Sequence, residues 1–350
     1  MSRLIALGRR IPSPLFLVVL FAWPAFIGSA RTMHLAVIWI IYAVGAFGLA
    51  VLYRATGLLS VAHAAMWGIG AYAAVLLAER ADVGFWPAMV VGAAGAAAAS
   101  LLIGLPSVRV ASHYFLIITF AATELIVALA RFYTDWTGGP LGVTTVRPVP
   151  SLFGVDFNEP RNFFYLATTI LIVGVAVFWL ISLTRVGRRA LALRENEQLL
   201  RQLGVRTAPY KLVIFAFSGI YGAVSGVLFG YYQHHVDPNQ FGAHASLVFA
   251  LIVILGGASS VFGPVIGSWV WIFLPEFLHL DPLDNQIALG ALLIAVMLLF
   301  PGGITGLPAT LISVVRARRR EHPQVVSEAG LSSAPLSSRD AVSEQTRAGR

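Results

Sequence analysis

Apolar residues in this chain come in long unbroken runs rather than in alternation with polar ones. A run of roughly 20 apolar residues is enough to cross the hydrocarbon core of a bilayer as a helix. Such runs lie at Pro14–Ala30, Leu35–Leu52, Gly57–Ala78, Phe85–Leu105, His113–Ala130, Phe163–Leu183 and Lys211–Tyr231. A longer tract follows at Ser246–Leu274, and a last run at Gln286–Phe300. The tract is interrupted by Gly256-Gly257-Ala258-Ser259-Ser260 and then Gly263-Pro264, which are turn signals. It therefore predicts two short helices folded into a hairpin. Irregular backbone at membrane depth must be enclosed by protein or line a cavity, so the hairpin should face the protein interior. The pattern predicts an all-α, polytopic helical bundle of about ten spans, or about eight if the 246–274 tract is re-entrant.

The charges between the runs set an orientation. Basic residues favour the cytoplasmic side. Arg3, Arg9 and Arg10 place residues 1–13 there. Counting spans puts Arg54, Arg109 and the arginine-rich Arg185–Arg206 segment inside, with Glu79–Asp82, His234–Asp237, Glu276, Asp281 and Asp284 outside. The transmembrane domain then occupies 14–310, with an external Gly/Pro/Thr-rich loop at 131–162 and a cytoplasmic loop at 185–210. Both termini are cytoplasmic. The 311–350 tail starts basic, at Arg316–Arg320, and becomes rich in Ser, Ala and Glu, a composition that favours disorder. The first run has a second reading. Flanked by arginines and ending Gly28-Ser29-Ala30, it resembles a secretory signal with a small-residue cleavage site.

Composition agrees with a membrane class. Of 350 residues, 58% are hydrophobic and only 11% charged, against about 25% charged in ordinary soluble domains; the mean hydropathy is +0.80. The net charge of +8 would suggest nucleic-acid binding in a soluble protein, but here the cations flank apolar runs, so no nucleic-acid partner is expected. There are no cysteines, which excludes disulfides, thiolate metal sites and a cysteine nucleophile. Lys211 is the one lysine, and no glycine-rich phosphate loop precedes it, so the chain cannot carry a standard P-loop ATPase site. No His-Glu-x-x-His pair or Gly-x-Ser-x-Gly elbow is present. No catalytic residues, bound cofactor or metal site are expected, so the chain does not read as an enzyme.

Three features carry functional weight. Glycines recur at Gly57, Gly68, Gly70, Gly92, Gly95, Gly219, Gly222 and Gly226, and small residues let membrane helices approach closely. Glu124 lies inside an apolar run, where a charge costs on the order of 3 kcal/mol and needs a partner or a water-filled path. His63 is similarly placed in the third run. Finally, Arg185–Lys211 is basic, with Leu191, Leu199 and Leu203 near helical spacing and Gly204 as a stop signal. An amphipathic helix there could lie on the lipid surface or dock into a partner's groove.

The order of several stretches resembles the LivM-type permeases of branched-chain amino-acid ABC importers, over roughly Ala43 to Leu307. The matching stretches are Gly57-Leu-Leu-Ser60 through His63, with Gly68-Ile-Gly-Ala-Tyr72; His113-Tyr-Phe115 through Thr119 and Glu124; and Thr137-Gly-Gly-Pro-Leu-Gly142. They continue with Arg188 to Gly204, containing Arg194-Glu-Asn-Glu197; Tyr210-Lys211; Leu255-Gly-Gly257 with Gly263-Pro264; and Pro301-Gly-Gly-Ile-Thr-Gly306. Val61, Ala62, Met66 and Leu199-Leu200 depart from the usual pattern.

The resemblance implies a bacterial inner-membrane importer. A second homologous permease subunit completes the pore. Two cytoplasmic ATPase subunits hold ATP and Mg, and an extracytoplasmic binding protein delivers the solute. It places Gly187, Arg188, Arg194, Glu195, Asn196, Glu197, Leu203 and Gly204 in a coupling loop that docks on an ATPase as a helix from Arg188 to Gly204. It also places a candidate path at Ser60, His63, Tyr72, Tyr114, Thr119 and Glu124, with Gly256 and Gly257. There Glu124 would attract an ammonium and the broken helix ends a carboxylate. Related permeases carry urea, short amides or aromatic acids, which keeps the solute open. An autonomous secondary transporter or channel is the alternative class.

Overall fold

A computed structural model describes residues 20–278, apart from 27, 111, 146–148, 150, 152–154 and 259, together with parts of 287–306. The runs Pro14–Ala30 and Gln286–Phe300 lie partly outside the described residues, and Arg316–Arg320 and residues 311–350 lie wholly outside them. The expected hydrophobic runs become helices α1 (Ala30–Thr56), α2 (His63–Ala81), α3 (Phe85–Ser107), α4 (Ser112–Phe132), α6 (Pro160–Ser182) and α9 (Thr207–Gln233). A one-turn helix α5 (Thr134–Thr137) follows α4; α7 (Arg185–Glu195) and α8 (Glu197–Gln202) precede α9. The predicted hairpin is α10 (Ala243–Gly256) and α11 (Gly263–Leu278). Among the described residues, five helices are long and apolar enough to cross a membrane: α1, α3, α4, α6 and α9.

Burial sorts these helices. α1 is 89% buried over its apolar window and α9 72%, against 28%, 22% and 28% for α3, α4 and α6. The first two form the centre and the other three the wall. A helix apolar on all sides is expected at such a centre. α1 starts cleanly because Ser29 Oγ accepts the Thr32 N–H at 3.1 Å. It stops at Gly57, whose φ of +73° returns its N–H to Tyr53 O at 2.9 Å.

α2 crosses α9 at backbone contact. A Cβ on Gly70 would lie 2.0 Å from the Ala223 carbonyl oxygen, and one on Gly226 would lie 1.9 Å from that of Trp67. Only glycine permits this approach, which is what the glycine repeat on α9 accomplishes. The hairpin is joined in the same way. Gly256 and Gly267 pack against the backbone of Gly263 and Ile252, and Thr305 Oγ1 donates to Gly256 O at 2.8 Å.

At the far end of α9, His234 takes φ +58° and the chain turns into β2 (His235–Val236). This pairs antiparallel with β1 (Val143–Thr144), Val143 opposite Val236. The short ribbon departs from an all-α fold, and it ties Val143–Thr144 of the 131–162 loop to the end of α9. Arg80 supports the same loop, with its guanidinium 5.0 Å from the Trp136 ring and a bond to Trp136 O at 3.1 Å.

Two expectations are corrected. The third run does not become helical at Gly57: residues 57–62 are non-helical and α2 begins at His63. The Arg188–Gly204 segment is not one helix but two, broken at Asn196. Asn196 has extended φ/ψ and its side chain accepts the Leu199 N–H at 2.9 Å, so it ends α7 and caps α8 at once.

Candidate functional site

The backbone linking α1 to α2 is where buried polar groups gather. Ser60, Val61 and Ala62 are all buried, so each free N–H and C=O needs a partner. Hydroxyl groups supply them. Val61 N–H donates to Thr119 Oγ1 at 3.2 Å, and Val61 O accepts from Thr123 Oγ1 at 2.9 Å and from Ser246 Oγ. Ser246 Oγ also accepts the Ala64 N–H at 2.9 Å, and Ser60 Oγ the Ala62 N–H at 3.1 Å. This knot ties α2, α4 and α10 together at one residue.

Glu124 lies beside it, five residues beyond Thr119 on α4. Its Oε1 accepts the Ala243 N–H at 3.0 Å, the first residue of α10. A carboxylate at a helix N-terminus satisfies an unpaired donor and complements the helix dipole. The partner demanded by a charge in an apolar run is thus a backbone donor. The side chain of Glu124 nonetheless stays on the exposed face of α4.

The other candidate residues divide. Ser60 and Thr119 belong to the knot. His63 is fully enclosed, with Nε2 2.7 Å from Gly45 O and Nδ1 3.5 Å from Ser218 Oγ, so it holds α2 to α1 and α9. Tyr72 packs its ring on Phe241, and its buried hydroxyl has no hydrogen-bond partner among the described residues. Tyr114 is exposed near the start of α4. Gly256 is closed in by Gly263 and bonded through its carbonyl to Thr305, and the Gly257 N–H donates to Val253 O. Those two glycines close the hairpin, and the Gly257 N–H is not free for a carboxylate.

The α7–α8 arm forms a second cluster at the opposite end of α9. Gly187 is required at the turn from α6, because a Cβ there would meet Ile181 O at 2.1 Å. Thr184 Oγ1 caps α7 by accepting the Gly187 N–H at 3.1 Å. α7 turns Gly187, Ala190 and Leu193 inward. A small apolar cleft remains between it and the bundle, lined by Val51, Phe178, Leu191 and Phe217 among others. Arg194 lies 5.0 Å over the Tyr53 ring.

Glu197 is the clasp of the arm. It accepts from Lys211 Nζ and Arg201 Nη2, both at 2.8 Å, and from Thr207 Oγ1 at 2.9 Å. Partial burial alone would raise its carboxyl, but bonds from Lys211, Thr207 and Arg201 outweigh that and hold it below the usual carboxylate value. Arg188 and Glu195 are exposed, as are Leu199 on α8 and Leu203, the residue that caps its C-terminus. Gly204, at φ +78°, follows α8, and the Val205 N–H reaches back to Leu200 O at 3.0 Å. The expected Leu191–Leu199–Leu203 face is not continuous, since the break at Asn196 separates Leu191 on α7 from the two exposed leucines.

Thr123, Ser246 and Ala243 are members of these clusters that sequence reasoning missed, and Lys211 was read as part of a family stretch without its bond to Glu197. One signal was available. Phe115, Thr119, Thr123 and Val127 recur every fourth residue, and they are the buried stripe of α4.

Residues 31–301 match the family described as "Branched-chain amino acid transport system / permease component". The chain belongs to this permease family. Among curated relatives, the LivM high-affinity branched-chain amino acid transport permease of Escherichia coli K12 is 31% identical over 331 residues, 87% of this chain and 77% of that protein. The LivH permease of the same strain is 28% identical over 294 residues, 76% of this chain and 92% of that protein. The LsrC autoinducer 2 import permease of E. coli SMS-3-5 is 30% identical over 326 residues, 85% of this chain and 88% of that protein. No solved structure matches. In this permease the family match spans both clusters, the knot around Val61 and the α7–α8 arm.

Proposed function

We propose that this chain is the membrane-spanning permease subunit of an ATP-driven importer, and that with a second permease it forms the path for branched-chain or other hydrophobic amino acids across a bacterial inner membrane. The observation that carries this reading is the match to LivM across 87% of the chain. LivM and LivH of one strain carry the same system name and both match, which supports a pair of permeases per importer. The solute follows the family description, with the LsrC match marking how far cargo can differ on a similar chain.

The arm and the β ribbon sit at opposite ends of α9, whose 27 residues span about 40 Å. The arm carries Arg185, Arg188, Arg189, Arg194, Arg201 and Arg206, so it belongs on the cytoplasmic side, with both chain termini. There it meets one of the two ATPase subunits that hold ATP and Mg, while the ribbon side meets the binding protein. Leu199 and Leu203 form the apolar contact and Glu195 a charged rim. Closure of the ATPases would then pull on α9 through Glu197 and Lys211 and shift the bundle between two states.

The test is co-purification of the tagged permease with its ATPase, comparing wild type with Glu195→Arg and Leu203→Asp. Glu195 and Leu203 are exposed and outside the Glu197 clasp, so both variants fold. Wild type should retain the ATPase and each variant should lose about tenfold in affinity, roughly 1.4 kcal/mol. Equal retention by all three would remove the arm from the docking surface.

A further inference from the structure

The wall helices differ in one respect that lipid would notice. α3 contains no Asp, Glu, Lys or Arg, and the one such residue in α6, Arg161, is at its start. Their open faces can rest against acyl chains. α4 cannot do so throughout, because Glu124 lies on its open face, about 18 Å from the start of the helix and about 10 Å from Arg131 at its end. Only one carboxylate oxygen is used: among the described residues, Oε1 accepts the Ala243 N–H and Oε2 has no partner. A carboxylate held there must be covered by protein or reached by water.

The exposed residues around it form an ordered stripe. Tyr114, Ile117, Ala121, Glu124, Ala128 and Arg131 are all exposed and follow one another at steps of three and four. That is the spacing of a helix–helix seam. Ala121 and Ala128 flank Glu124 with small side chains, which admit a close neighbour. The opposite stripe is the buried one, Phe115 to Val127. α4 is thus fastened to its own bundle along one edge and open along the other.

Resting on the reading of the chain as one of two permeases, we infer that the open stripe of α4 is the seam against the second permease, with Glu124 enclosed between the two chains. A related permease is the occupant because it is the partner whose own membrane helices reach this depth. Glu124 then serves two bodies. Oε1 holds α10 of its own chain, and Oε2 faces the partner or the solute passing between them.

The test is site-specific photo-cross-linking in the full importer, in native membranes, with the second permease co-expressed. p-Benzoylphenylalanine is placed singly at Tyr114 or Ile117 on the stripe, and at Val90 on α3 or Val173 on α6 as open-face comparisons. All four positions are exposed, and Tyr114 is already aromatic. The inference expects at least tenfold more adduct with the second permease from the stripe positions than from Val90 or Val173. Adducts concentrated at Val90 or Val173, or absent at all four positions, in complexes that still co-purify would overturn the seam and leave the importer reading intact. A chain that purifies without any second permease would overturn both.

Discussion

Val61 shows how much of this molecule depends on single hydroxyl groups. Its N–H has Thr119 as partner, whereas its C=O is shared by Thr123 and Ser246. Thr119→Val keeps the shape and strands the buried N–H, so it should cost about 1–3 kcal/mol. The readout is the thermal midpoint of the purified protein in detergent. Thr123→Val leaves Ser246 in place and should cost less, so equal midpoints for the two variants would contradict this account. Beforehand, the recurrence of Phe115, Thr119, Thr123 and Val127 at every fourth residue marks a buried stripe, but not what its hydroxyls bind. Gly57-Leu-Leu-Ser-Val-Ala is apolar enough to read as the first turns of a span. It is unwound by hydroxyls from Thr119 and Ser246, which are 58 and 182 residues away from the groups they bind. Glu124 was legible as a charge needing a partner, but the partner, Ala243 N–H, is 119 residues distant.

At the scale of elements, helix existence was readable and helix ends were not. Long apolar runs announce themselves by length, whereas ends are set by caps such as Ser29 and by contacts made elsewhere. The 246–274 hairpin was an exception, because its glycine cluster marks the break directly. The arm was misjudged at Asn196, although an Asn followed by Glu is a start signal for a new helix. Its clasp has a pH signature. Since the folded Glu197 carboxyl is lowered, its contribution is fully present above the ordinary carboxylate value of 4.5 and is lost as pH falls below that through the lowered value. Hydrogen exchange should show α8 and the start of α9 losing protection across that window. In Glu197→Gln they should already exchange faster at pH 7 and change little on acidification. A variant as protected as wild type at pH 7 would show the clasp to be dispensable. The α2–α9 crossing makes a sharper test of packing. Gly70→Ala drives a methyl into the Ala223 carbonyl and should cost at least about 1–3 kcal/mol. Gly95→Ala meets Ile69 at an ordinary 3.4 Å and should leave the thermal midpoint unchanged.

For the molecule as a whole, the open stripe of α4 matters most. Glu124→Gln keeps an oxygen for the Ala243 N–H and removes the charge. Membrane insertion and complex formation should be normal, while uptake of labelled leucine falls about tenfold, roughly 1.4 kcal/mol in the transport barrier. Wild-type uptake would show that the charge has no part in passage. The backbone contact between α2 and α9 also bears on how the molecule is made. A ribosome finishes α2 at Ala81, and α9 ends at Gln233, roughly 150 residues later. At synthesis rates of about 5–20 residues per second, that interval is roughly 8–30 s. Throughout it the glycine groove of α2 has been built but its counterpart has not. The newborn chain spends that time as an open half, and the groove must be kept from other small-residue helices until α9 arrives to fill it.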